Sequence, residues 1–162
     1  MTKVRAWISA ARLRTLPLSI SGILVAGGAA AKAGAFSVPI LVLALLTTLG
    51  FQVLSNFAND YGDGVKGTDN ADRVGPARAM QSGLLTAKEL KYGMIVTTIL
   101  TLFLASLLIF IAFGNKNFIL SVIFFNLGIA AVVAAVTYTV GKKAYGYRAM
   151  GDVFVFLFFG LV

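Results

Sequence analysis

The sequence predicts an all-α protein, a polytopic transmembrane helical bundle of about five helices. Three observations lead there. Of 162 residues, 59% are apolar and only 12% charged, about half the charged share of a water-soluble domain; mean hydropathy is +0.90. Apolar runs of roughly 18 residues or more recur, the length that crosses a hydrocarbon core. The charges fall between the runs. Cys and His are both absent, which removes disulfides, thiol nucleophiles, zinc centres of the usual kinds and imidazole bases together. Chemistry has to rest on carboxylates, amides, hydroxyls, Tyr, Lys and Arg.

Taken in order, the first residues set Trp7 among Arg5, Arg12 and Arg14, the pattern of a short amphipathic helix at a membrane interface. The first span, Leu18 to Ala35, is weakly hydrophobic, and its Gly22, Gly27 and Gly28 suit close helix packing. Its basic flank imitates a secretory signal, yet the run leads on into further spans. Val38 to Phe57, Met94 to Phe113 and Phe118 to Val140 are the second, third and fourth spans. The fifth apolar piece, Val153 to Val162, is expected to be a truncated span, because ten residues rise only ~15 Å against a core of ~30 Å. Residues 1–162 then form the amino-terminal part of a single transmembrane domain.

A net charge of +8 would raise nucleic acid as a partner in a soluble protein. Here the positions of the charges make them topology signals, and no nucleic-acid partner is expected. Of fourteen basic residues, all but Lys32 and Lys116 lie before the first span, between the second and third, or after the fourth. The positive-inside rule then puts the amino terminus in the cytoplasm. All six acidic residues share that side, so chemistry is expected on the cytoplasmic face.

The second span runs on into Asn56-Phe-Ala-Asn59-Asp60-Tyr-Gly-Asp63, then Gly64-Val-Lys-Gly67-Thr-Asp69. At ~100° per residue, Asn56, Asn59, Asp60 and Asp63 fall within a ~100° arc of one helical face. Two carboxylates and two amides are expected to point into one place. Packed acids at a membrane boundary need a cation, and oxygen-only ligands suit a hard one; Mg²⁺ is commonly held by one or two carboxylates with waters and substrate phosphates. Asn59, Asp60, Asp63 and Asp69 are the candidate metal ligands, Asp69 arriving from a loop that the glycines allow to turn back. Arg73 and Arg78 can grip phosphate oxygens through the guanidinium fork or neutralise the acids. Thr86-Ala-Lys-Glu89 matches a capping box, so Glu89 is assigned to a helix start. Tyr138, Lys142 and Lys143 close the fourth span; Tyr138 and Lys142, four apart, are expected on one face at headgroup level, as diphosphate partners or as headgroup anchors.

These residues resemble the UbiA superfamily of intramembrane prenyltransferases, whose first acidic motif reads NDxxDxxxD. Asn59-Asp60-x-x-Asp63 matches; position 67 is Gly, with Asp69 two residues later. The strings ANDYGDGVKGTD and DRVGPARAMQSGLLT are similar to the menaquinone branch of that family, as is Arg12-Leu-Arg14-Thr15-Leu16-Pro17 near the start. Tyr138 to Lys143 is similar to its YPxxKR segment, with Thr139 in place of Pro. The resemblance implies about nine helices around a cavity, Mg²⁺ bridging a polyprenyl diphosphate, and Asp60 and Asp63 as catalytic residues. It further implies a bacterial inner membrane as its place and 1,4-dihydroxy-2-naphthoate as acceptor, for whose carboxylate Arg12, Lys142 and Arg148 are candidates. Family members carry a second acidic motif in a later helix, so the 162-residue chain alone is expected to be inactive.

Two alternatives stand beside this reading, with a structural membrane subunit, which needs no acidic arc, as a third. One is a prenyltransferase for another aromatic acceptor, 4-hydroxybenzoate or a tetrapyrrole. The other is a divalent-cation transporter, which would carry its carboxylates near the bilayer midplane; here they stand at a helix end.

Overall fold

The computed structural model describes residues 2–69, 78–114 and 116–156. Thr2 opens the first helix by accepting the Arg5 N–H, and α1 spans Lys3–Ala11. Arg12 ends it with φ 51°, an uncommon backbone for a residue bearing a Cβ. A 3₁₀ turn, Leu13–Thr15, swings the chain into α2, Leu16–Lys32, whose first turn holds Pro17 where no N–H is needed. The third helix, α3, runs Val38–Lys66. Its 29 residues rise ~44 Å, well beyond a ~30 Å hydrocarbon core, so its last turns stand at headgroup level. Gly67 stops it at φ 71°, where glycine meets no steric penalty.

The expected capping box forms: Thr86 accepts the Glu89 N–H, Glu89 accepts the Thr86 N–H, and α4 runs Ala87–Phe113. The next helix, α5, spans Phe118–Thr137 and stops short of Val140. Turns follow through Lys143, with Gly141 at φ 98°. The helical spacing of Tyr138 and Lys142 is therefore not realised, and Lys142 and Lys143 are exposed. A second 3₁₀ turn, Tyr145–Arg148, leads to α6, Gly151–Val155, the start of the fifth apolar piece; residues 157–162 of that piece lie outside the described ones. Among the described residues four helical segments are long and apolar enough to cross a membrane: Lys3–Lys32, Val38–Lys66, Ala87–Phe113 and Phe118–Thr137.

The buried cluster sits at the charged end. Ala6 and Ala10 of α1, Leu54, Phe57 and Ala58 of α3, Ala79 and Leu85 of the α3–α4 connection, and Leu90 and Met94 of α4 close around it. Trp7 meets Phe57 edge-on, ring centres 5.3 Å apart, and fills a notch left by Gly93, where a Cβ would fall 2.6 Å from the indole. The interface helix predicted around Trp7 is thus keyed into the bundle. Elsewhere the long helices show large apolar side chains outward, among them Val25, Ile99, Phe103, Phe110 and Ile119, the surface a bilayer covers.

Candidate active site

Helix α3 supplies the spine. Gln52, Asn56, Asn59, Asp60 and Asp63 recur at helical spacing on one arc, but they do not gather into one cluster. The arc covers about three turns, so each side chain leaves at a different height and meets a different element. Gln52 accepts the Ser19 hydroxyl at 2.7 Å and donates to Thr15 Oγ1 at 3.3 Å. Asn56 Nδ2 donates to the Ala11 carbonyl at 2.9 Å and to Thr15 Oγ1 at 3.2 Å. These amides clasp the α1–α2 junction, and Thr15 Oγ1 closes the ring by donating to the Arg12 carbonyl at 2.9 Å. The clasp holds Arg12, whose charge acts on Asp60.

Asp60 is 1% exposed. Its two oxygens accept the backbone N–H groups of Ala79 and Met80, each at 3.2 Å. It therefore ties α3 to the turn that begins at Arg78, a turn closed by the Ser82 N–H on the Arg78 carbonyl at 2.9 Å. Asn59 Oδ1 accepts the Thr139 hydroxyl at 3.2 Å, and the same hydroxyl donates to the Ala58 carbonyl at 2.9 Å. Gly62 makes this approach of α3 and the end of α5 possible: a Cβ there would lie 2.7 Å from the Thr139 carbonyl oxygen.

Three elements converge on Asp63. Arg78 Nη2 lies 3.1 Å from Asp63 Oδ2, and Arg78 Nε lies 3.1 Å from Asp69 Oδ2, so one guanidinium joins both carboxylates. Asp69 does come back from the loop after α3, and its side chain is 2% exposed. Tyr147 donates its hydroxyl to Asp63 Oδ1, and Thr68 donates to the same oxygen at 3.3 Å. Burial first, then the bond to Asp63, pushes the Tyr147 phenol up to about 12. It stays protonated and donating. The Lys66 ammonium stands 4.0 Å from the centre of the Tyr147 ring.

The structure thus brings together Asp63, Asp69 and Arg78, with Asn59 one turn along α3. Tyr138 packs its ring on Tyr145, centres 5.3 Å apart. Arg148 closes the 3₁₀ turn and is exposed. Arg73 lies outside the described residues. Gln52, Lys66 and Tyr147 are additions that the sequence reading missed. Among the described residues no group of three or more Asp, Glu, His or Cys side chains could hold a metal ion. The donor chemistry nonetheless fits a hard cation: the place between Asp63 and Asp69 already takes a positive group, and two carboxylates with an amide oxygen suffice for Mg²⁺ when phosphates and waters complete the shell.

The UbiA prenyltransferase family matches residues 20–162. The chain is similar to proteins named 1,4-dihydroxy-2-naphthoate octaprenyltransferase. With that of Haemophilus influenzae it shares 47% identity over 99% of this chain and 52% of the relative. With that of Escherichia coli it shares 42% over 99% and 51%, and with that of Mycobacterium tuberculosis 37% over 100% and 52%. The chain spans about half the length of these curated relatives. No solved structure matches it.

Proposed function

The chain belongs to the UbiA prenyltransferase family, and we propose that its site takes part in moving a polyprenyl group from polyprenyl diphosphate to 1,4-dihydroxy-2-naphthoate, a step of menaquinone biosynthesis. The observation that carries the reading is the shared grip of Asp63 and Asp69 on Arg78, at the end of a membrane helix where a diphosphate headgroup would lie. The relatives' names support the two substrates. An integral membrane protein is what the apolar helices and the family require.

UbiA prenyltransferases generally use a divalent metal, and we assign Mg²⁺ to Asn59, Asp63 and Asp69. When bound, it supplies positive charge that lowers the barrier to diphosphate departure. Asp60 is assigned to holding the Arg78 turn against α3. Arg78 and, where the fold brings them in, Arg73, Lys142 and Lys143 bind diphosphate oxygens. The allylic carbon–oxygen bond then breaks with its electron pair leaving on the diphosphate, and the acceptor ring attacks the allylic carbon, with loss of the acceptor's carboxylate. The apolar helix faces exclude water that would consume the cation. Arg12, clasped beside Asp60, is assigned to the acceptor's carboxylate, as is Arg148.

The test uses membranes that hold the 162-residue chain, alone or co-expressed with the carboxyl-terminal half of the Haemophilus influenzae relative, supplied with labelled polyprenyl diphosphate. The relatives carry about as many residues again, so transfer to 1,4-dihydroxy-2-naphthoate is expected only in the co-expressed membranes. No transfer there, with the intact relative active alongside, sinks the reading; transfer to 4-hydroxybenzoate in its place moves the acceptor. For orientation, single cysteines at 66 and 145 are expected to resist an impermeant external thiol reagent in inner-membrane spheroplasts while one at 116 reacts. The opposite pattern would move the site to the other face.

A further inference from the structure

Lys66 stands in the last turn of α3, three residues past Asp63. A lysine there ordinarily extends into water and gains only from the negative end of the helix dipole. This one lies back over an aromatic ring, 4.0 Å from its centre, and among the described residues its ammonium has no carboxylate partner. The ring is that of Tyr147, whose hydroxyl donates to Asp63 Oδ1. One side chain therefore holds an acid at its edge and a cation on its face.

Tyr147 is fixed well enough to act as such a bracket. The Gly146 N–H donates to the Tyr138 carbonyl at 2.9 Å, and the Tyr145 hydroxyl donates to the Ala134 carbonyl at 2.8 Å. A Cβ on Gly146 would fall 2.7 Å from that same Tyr138 carbonyl oxygen. The 3₁₀ turn is thus seated against the end of α5, and Tyr147 reaches from there to α3. Arg78 takes the other Asp63 oxygen. Donors from two separate segments thus orient the carboxylate from both oxygens, and Lys66 stands exposed on the ring of one of them.

We infer that Tyr147 is a positioning residue for Asp63 and that it presents Lys66 as a further diphosphate-binding residue. This rests on the reading of Asp63 and Asp69 as a metal–diphosphate site. Lysine serves phosphate as a point charge that needs no fixed fork. The aromatic face keeps that charge near the acids without neutralising it. The two roles separate by substitution. Tyr147→Phe keeps the ring under Lys66 and deletes the hydroxyl that bonds Asp63; Lys66→Gln deletes the charge and leaves Tyr147 in place.

The experiment measures Mn²⁺ binding by electron paramagnetic resonance and binding of labelled farnesyl diphosphate, on the full 162-residue chain in lipid nanodiscs, with helical content checked by circular dichroism. Tyr147→Phe is expected to weaken Mn²⁺ by about tenfold, the usual loss when a partner that orients a metal ligand is removed. Lys66→Gln is expected to leave Mn²⁺ within about twofold and to weaken farnesyl diphosphate by about tenfold, the size of one charge-assisted bond; Lys66→Arg recovers most of it. Tyr147→Leu should show both losses. Unchanged Mn²⁺ binding in folded Tyr147→Phe, or unchanged diphosphate binding in Lys66→Gln, overturns the inference while leaving the metal–diphosphate reading intact. If the unsubstituted chain binds neither probe, that reading fails and the inference goes with it.

Discussion

The polar side chains along α3 and those exposed within the apolar runs of α4 and α5 behave in opposite ways. On α4 and α5, Ser106, Ser121, Asn126 and Thr137 each return to a carbonyl of the same helix or its cap, four residues back, at 2.6–3.3 Å. On α3, Gln52, Asn56, Asn59, Asp60 and Asp63 all bond across to other elements, over separations from 15 to 84 residues. A hydroxyl or amide facing hydrocarbon has nowhere to go but its own backbone. One that reaches another segment fixes where that segment lies. In this bundle α3 is the hub, and the candidate site is where its cross-bonds are densest.

Removal of the hub's most connected acid should have the largest effect. Asp63→Ala takes the partner from Arg78, Tyr147 and Thr68 at once and deletes a proposed metal ligand. Prenyl transfer in the co-expressed membranes is expected to vanish while insertion and helical content persist. Residual activity near the unsubstituted level would leave Asp63 outside the chemistry.

Next in size is the close approach itself. Gly62→Ala sets a Cβ 2.7 Å from a backbone oxygen that cannot rotate away, so α3 and the end of α5 have to separate. The expected loss is about 1–3 kcal/mol, read from a detergent unfolding titration, with Thr139 losing its hold on Asn59. No loss would mean that the two segments are not in contact in the membrane.

A smaller effect is expected from Asn56→Leu, which strips the Ala11 carbonyl and Thr15 hydroxyl of a shared donor. Leaving such groups unpaired costs on the order of 1–3 kcal/mol, less where water reaches them. Gln52 retains part of the clasp through Thr15, so the lower end is expected. The same titration checks it, and a double substitution with Gln52→Leu should exceed the sum of the two singles.

What could be read from the sequence follows the same division. The arc of Asn56, Asn59, Asp60 and Asp63 was legible because helical periodicity needs only local spacing, and the Thr86–Glu89 box was legible because a cap is three residues long. Gln52 lies one turn before Asn56 and carried a usable signal, an amide inside an apolar span. Where each side chain goes was not legible. Asp60 turns to Ala79 and Met80 rather than into a cluster with Asp63, and nothing in the periodicity separates two positions on one face. Tyr147 meets Asp63 across 84 residues, a distance at which one sequence carries no pairing information. The apolar run carried on by Tyr138 and Val140 predicts an end of α5 three residues beyond the observed Thr137. The stop comes from Gly141 in the left-handed region.

The smallest expected effect belongs to the other side of the comparison. Asn126 is exposed on α5, and among the described residues its amide donates only to the Val122 carbonyl, at 2.8 Å. That carbonyl already lies within a helix ladder, so the bond adds a second donor to a satisfied acceptor. Facing lipid, the amide still carries an unpaired N–H and an oxygen, each unfavourable in hydrocarbon. Asn126→Leu removes those groups, keeps a similarly branched side chain and improves helix propensity. Stability in the detergent titration is expected to change by no more than about 0.5 kcal/mol, with gain more favoured than loss once the protein is in bilayers. A loss comparable to that of Asn56→Leu would show that Asn126 has a partner on another segment. In that case α3 would not be the single hub, and the division between self-satisfied and cross-bonded helices would have to be redrawn with α5 on the functional side.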